Sequence, residues 1–173
     1  MLLLLVSVPL WATKVCAAQE GPASEWPQAL NSTAVSPALK AMPAIKLDFP
    51  QISLGRQVFY LPADDSLSLK QALASDGWQA YAGDIVNFGY TDTQYWLAFR
   101  LQSVPADAAR LLAIGYPLLD RVDVHIMSEH GSSQMRLGDQ LPFNERPVSH
   151  RQFLVPLAPS ASPVTVVIRG GKR

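Results

Sequence analysis

The sequence predicts an all-β fold, a jelly-roll β-sandwich with one short helix. Three observations carry this. Apolar and polar residues alternate with a period of two in several short runs, clearest at residues 94–104, where Tyr95, Leu97, Phe99 and Leu101 share one face. The 14 prolines and 10 glycines sit in short clusters between apolar runs, which favours short strands over long helices. No strand–helix–strand rhythm or internal repeat is present, and the long, proline-marked connections fit a jelly roll better than a simple meander.

The elements follow in order. Residues 2–12 are apolar apart from Ser7, too short to span a bilayer as a helix, and are followed by the small-residue patterns Val15-Cys16-Ala17 and Cys16-Ala17-Ala18. Residues 1–18 are therefore expected to be an export signal, although no positively charged segment precedes the apolar run. Cleavage after Ala17 or Ala18 removes the single cysteine, and with it thiol chemistry and disulfides. Residues 19–44, rich in Ala, Pro and Ser, read as an extended leader. The domain proper is expected over 45–169, with 170–173 as a tail.

Within the domain, residues 45–49 read as a first strand stopped by Pro50. Residues 56–61 read as a strand ended by Pro62. Ser66 stands as an N-cap for a helix over 67–75, with Leu69, Ala72 and Leu73 at helical spacing and Asp76-Gly77 closing it. Short strands are expected at 78–81 and 85–88, then at 94–104, 110–116 and 120–127. In the last of these Val122, Val124 and Ile126 point inward while Arg121, Asp123 and His125 point outward. His130-Gly131 turns the chain into a strand at 133–137. Residues 141–149 form a loop, and strands at 150–157 and 164–169 end the fold.

The chain is long enough for one domain with a proper core. Hydrophobic residues make up 49% and charged residues 16%, which excludes disorder. The net charge is zero, so there is no electrostatic footprint for nucleic acid. No nucleophile elbow, zinc-protease helix or phosphate-binding glycine loop occurs. His125, His130 and His150 share no metal-ligand spacing, and no spacing supports Asp92 and Asp120 as a glycosidase pair. The domain is expected not to be an enzyme.

Four groupings stand out. Trp96 and Arg100 lie on the strand face opposite Tyr95 and Leu97, which should be wet; they form either a binding surface or a patch beneath a second layer. Thr91-Asp92-Thr93-Gln94 supplies oxygens that, with Asp84 or Asp120, would suit calcium, and otherwise is a solvated turn. Asp120 and Arg121 open a strand, where a charge-assisted hydrogen bond between them would fix the loop. Asp139, Phe143, Arg146 and Arg151 gather around one loop with His150. That loop either takes a sugar or amino-acid ligand or is held shut by an Arg146–Asp139 pair. No cofactor is expected, calcium being the one ion these residues would suit.

Three blocks, NFGYTDTQYWLAFRL, YPLLDRVDVHI and GDQLPFNERPVSHRQFLVPL, followed by a final strand, resemble a known family over residues 45–169. It is the extracellular sensor domain, second type, of bacterial seven-transmembrane receptors with diverse intracellular signalling modules, as in RetS-like and LadS-like hybrid kinases and many membrane diguanylate cyclases. The resemblance implies a carbohydrate-binding-module-like jelly roll in the periplasm. It also implies ligand sensing without catalysis and an inner-membrane region following the domain. The small ligand would be a carbohydrate, with calcium or amino acids sensed by some members. By position it singles out Trp96, Asp120, Arg121, Asp139, Phe143, Arg146 and Arg151. The chain stops at Gly170-Gly171-Lys172-Arg173, where the membrane region is expected to follow, so it reads as a domain cut from a longer receptor or as a truncated product. Two other readings stay open: a free carbohydrate-binding module, and a domain that homodimerises through a sheet face or edge without a small ligand.

Overall fold

A computed structural model describes residues 2–6, 35–64, 66–89, 91, 93–115 and 119–171. It is a β-sandwich of two antiparallel sheets. The strands are β1 (Leu2–Val6), β2 (Ala44–Ile45), β3 (Gln51–Ser53), β4 (Phe59–Ala63), β5 (Gln79–Ala80), β6 (Gln94–Leu101), β7 (Arg110–Ile114), β8 (Arg121–Ser128), β9 (Gly131–Leu137), β10 (Phe153–Leu157) and β11 (Val164–Gly171). The helices are α1 (Pro37–Lys40) and α2 (Leu69–Ala74). The larger sheet has the order β5-β4-β6-β11-β8-β9, with β2 lying parallel against β6; the smaller has the order β10-β7-β1-β3. From β6 onward the chain crosses between the sheets at every connection except the β8–β9 hairpin, and β11 returns between β6 and β8. That exchange is what the long connections predict.

The alternation along β6 has the expected physical result on its inner face. Phe99 and Leu101 are fully buried between the sheets with Leu112, Val124, Phe153 and Val166. The outer face is not wet, contrary to expectation. Trp96 and Ala98 lie beneath a second layer that contains α1, α2 and Trp78, and Trp96 is 2% exposed. A third, smaller cluster of Leu111, Ala113 and Leu154 covers the far side of the smaller sheet, so β7 is buried on both faces.

Local departures from expectation have local causes. Pro62 does not end β4; it continues the strand opposite Tyr95. The β5 pairing reaches only Phe59 and Tyr60, so Pro62 sits where β4 is an edge and no donor is required of it. The helix starts two residues later than expected. Ser68, not Ser66, caps α2, accepting from the Gln71 N–H while Gln71 Oε1 accepts from the Ser68 N–H at 3.0 Å. Ser66 instead bonds the Asp64 carboxylate. A one-turn 3-10 segment, Gly55–Gln57, replaces the start of the expected strand at 56–61, and residues 85–88 form no strand.

The expected leader contributes structure from residue 35 onward. Val35, Leu39 and Met42 are buried over the outer face of β6. Leu2–Val6, expected within the export signal, is extended between β7 and β3, with Leu2 opposite Ile114 and Leu4 opposite Ile52.

Candidate functional site

The strand registers bring several chain segments to one end of the sandwich. Pro62, Tyr95, Gly170, Val122 and Leu137 stand in one row across the larger sheet. In the smaller sheet, Ile114 at the end of β7 pairs with Phe153 at the start of β10. The connections 115–120 and 138–152 join the two sheets at this end. Asp120, Arg121, Asp139, Phe143, Arg146 and Arg151 all fall here.

Gly138 fixes how two of these loops meet. Its φ of +150° suits glycine, and a side chain there would collide with the Asp120 carbonyl. The Asp139 N–H donates to the Leu119 carbonyl at 2.9 Å, which ties the same loops together. Leu119 in turn lies 3.8 Å from where a Gly170 side chain would start, beside Tyr95 in the row.

Two expected pairings take a different form. Arg121 does not pair with Asp120; its Nε meets Asp123 Oδ2 at 2.8 Å, because residues two apart on a strand share a face. Arg146 does not close the loop through Asp139. It donates to the His150 and Arg151 carbonyls at 3.1 and 3.5 Å, with its guanidinium 5.0 Å from the Phe143 ring centroid and 4.8 Å from that of Phe153. Arg146 is thus a brace for the loop, whereas Arg151 and Phe143 remain exposed.

Trp96 and Arg100 lie elsewhere. Trp96 packs on the outer face with the Arg169 guanidinium 5.5 Å and the His125 ring 6.1 Å from it. Arg100, at the opposite end of β6, donates to the Leu39 carbonyl at 3.2 Å and to Thr165 Oγ1 at 3.4 Å, and so secures the end of α1 to the sheet. Beside Trp96, burial holds the His125 imidazole below its ordinary pKa, with Asp123 partly opposing the shift. Asp84 is exposed and bonded to Arg56 Nε at 2.6 Å; Asp92 lies outside the described residues. Among the described residues no three His, Cys, Asp or Glu side chains gather as a metal site.

An aromatic ledge that sequence reasoning missed occupies the rim of the inner core at this same end. Phe88 stacks on Tyr95 with centroids 3.9 Å apart and planes 6° from parallel. Tyr60 and Tyr81 surround Phe88 at 5.3 and 5.5 Å. The Tyr60 hydroxyl donates to Gln79 at 2.8 Å, and the Tyr81 hydroxyl donates to the Asn87 carbonyl and accepts from its N–H, both at 2.9 Å, so these two rings are oriented by hydrogen bonds. All four rings are half-buried. The available signal was the identity of the inward residues: where a strand core turns from Leu and Phe to Tyr, one end of the ring is meant to meet water.

These rings can offer apolar faces, and the adjoining loops offer carboxylates and backbone groups. A family model described as 7TMR-DISM extracellular 2 matches residues 55–171, which takes in the ledge and the loop end but not α1. No curated protein matches the chain. The chain belongs to the 7TMR-DISM extracellular 2 family and is an extracellular domain of the receptor type that the family serves.

Proposed function

We propose that this domain senses a small ligand of the carbohydrate class in the periplasm, on behalf of a membrane-anchored receptor with a histidine kinase or diguanylate cyclase output. The half-open ledge of Tyr60, Tyr81, Phe88 and Tyr95 carries the reading. The C–H face of a pyranose is apolar and packs on an aromatic ring, while its hydroxyls need polar partners at the margin. Asp120 and Asp139, held at the same end by Gly138, are such partners. The role requires binding without turnover.

Export belongs to the same reading. Removal of residues 1–18 takes β1 out from between β7 and β3, so the exported domain would keep the β7–β10 pairing of its smaller sheet. Mass measurement of the exported chain checks this: an N-terminus at Ala18 or Gln19 supports cleavage, and a retained Met1 refutes it.

Calorimetry against a panel of mono- and oligosaccharides tests the ligand. One or more sugars should bind, and Tyr95→Ala should abolish that binding while the domain stays folded. If no sugar binds at millimolar concentration, or if Tyr95→Ala binds like the parent, the ledge is not a sugar site.

A further inference from the structure

We infer that the outer face of the β8–β9 hairpin holds an oxyanion site, where the guanidinium groups of Arg121 and Arg136 together take one carboxylate or phosphate group of a small solute. Alternation places Arg121, Asp123 and His125 of β8 on the face opposite the core residues Val122 and Val124. The register sets Arg136 of β9 directly across from Asp123, and Gln134 across from His125. On the other side of Asp123, β11 brings Arg169 between it and Trp96. Three arginines thus surround one carboxylate, the only acidic side chain on β8 or β9.

Asp123 organises the group. Its side chain is only 5% exposed, whereas those of Arg121 and Arg136 are 56% and 68% exposed. A carboxylate buried this far needs cations and donors around it. Arg121 Nε supplies one, 2.8 Å from Oδ2. Arg136 Nε stays 3.7 Å from Oδ1, outside hydrogen-bond range, and Oδ1 has no hydrogen-bond partner among the described residues. One negative charge is therefore set against two nearby guanidinium groups, and an excess positive charge is left at the surface. Their mutual repulsion is only partly offset by Asp123.

Each arginine turns its Nε toward Asp123, which leaves the Nη end of each fork for another acceptor. Among the described residues neither Nη end has a hydrogen-bond partner. Two forks anchored on one carboxylate are preorganised for an oxyanion: it accepts charge-assisted hydrogen bonds from both and neutralises the excess charge. Gln134, exposed on the same face two residues before Arg136, offers an amide to a hydroxyl or a second oxygen of the solute. The site lies on the opposite face of the larger sheet from the aromatic ledge and does not depend on the sugar reading.

Calorimetric titration of the purified chain with citrate and, separately, with inorganic phosphate is the test, at an ionic strength held constant with sodium chloride. Saturable binding of at least one is expected; citrate alone assigns the site to carboxylates, and phosphate alone to phosphates. Arg136→Gln should weaken that binding about tenfold or more. Arg136 is exposed, so this variant should stay folded, and Lys70→Gln, an exposed charge removed from α2, should bind like the parent. In nuclear magnetic resonance spectra of the arginine side chains, the Arg121 and Arg136 Nε–H signals should move in step with saturation. No binding of either anion at millimolar concentration, binding indifferent to Arg136→Gln, equal weakening by Lys70→Gln, or movement of other arginine signals in place of these two would each overturn the inference.

Discussion

Two aromatic patches share strand β6, one on each face, and they meet opposite fates. On the outer face Trp96 is sealed beneath Val35, Leu39, Leu69, Leu73 and Trp78. At the inner rim Tyr95 and Phe88 stay half-buried, with tyrosines around them. Tyr95 and Trp96 are neighbours in sequence, yet alternation reads Tyr95 as a core residue and only Trp96 as a candidate for contact with something. The difference lies in what covers them. The outer face receives a layer from residues far away in the chain. The inner rim lies at one end of the sandwich, where strands give way to loops. An aromatic residue marks a place that needs a partner; whether that partner is the chain itself or a ligand depends on which segments reach it.

Truncating each patch should separate the two roles. The largest effect is expected for Trp96→Ala. A fully enclosed aromatic ring leaves a cavity, so unfolding free energy should drop by about 3–5 kcal/mol, measured by urea denaturation. A drop below about 1 kcal/mol would mean that the second layer is not seated as described. Phe88→Ala, at the ledge, removes a ring already half in water and should cost only about 1–2 kcal/mol while removing sugar binding. Equal destabilisation by the two variants would erase the distinction between cover and ledge.

The cover itself can be loosened more gently. Ser68→Ala breaks the capping box of α2 and should lower stability by about 1 kcal/mol without touching the ledge. Sugar affinity unchanged in this variant, alongside a lower Tm, would confirm that the two patches are independent.

The smallest effect concerns pH on the covered side. Burial depresses the folded-state pKa of His125 below 6.5, so the unfolded chain binds the proton more readily than the folded one. The His125 contribution to stability is therefore complete above pH 6.5 and is lost as pH falls toward the depressed folded value. His125→Gln should flatten that part of the Tm–pH curve. A parent whose Tm rises on acidification through this window would contradict the buried imidazole.

Much of this architecture is legible in the amino-acid order because it rests on local periodicity. Val122, Val124 and Ile126 face the core as their alternation requires, and the turn at Glu129-His130 closes the β8–β9 hairpin beside the expected glycine. The loop-end residues Asp120, Asp139 and Arg146 also fall together, as their positions at strand ends imply. Their partners were less legible. Arg146 meets two carbonyls and two rings instead of Asp139, because the 3-10 turn Phe143–Glu145 sends its side chain across the loop. Ser68 displaces Ser66 as the cap because Gln71, three residues on, completes the box while Asp64 captures Ser66.

The sequence by itself determined most of the strands from β6 onward, most of their faces and the family, since each follows from short-range alternation or from ordered blocks of residues. Only the tertiary structure decided which aromatic patch is covered. That outcome depends on α1 and α2 crossing β6 from 20 to 60 residues away, and on a row of strand ends set by hydrogen-bond register. Burial is a sum over contacts from the whole chain, and alternation within one strand states only which residues share a face.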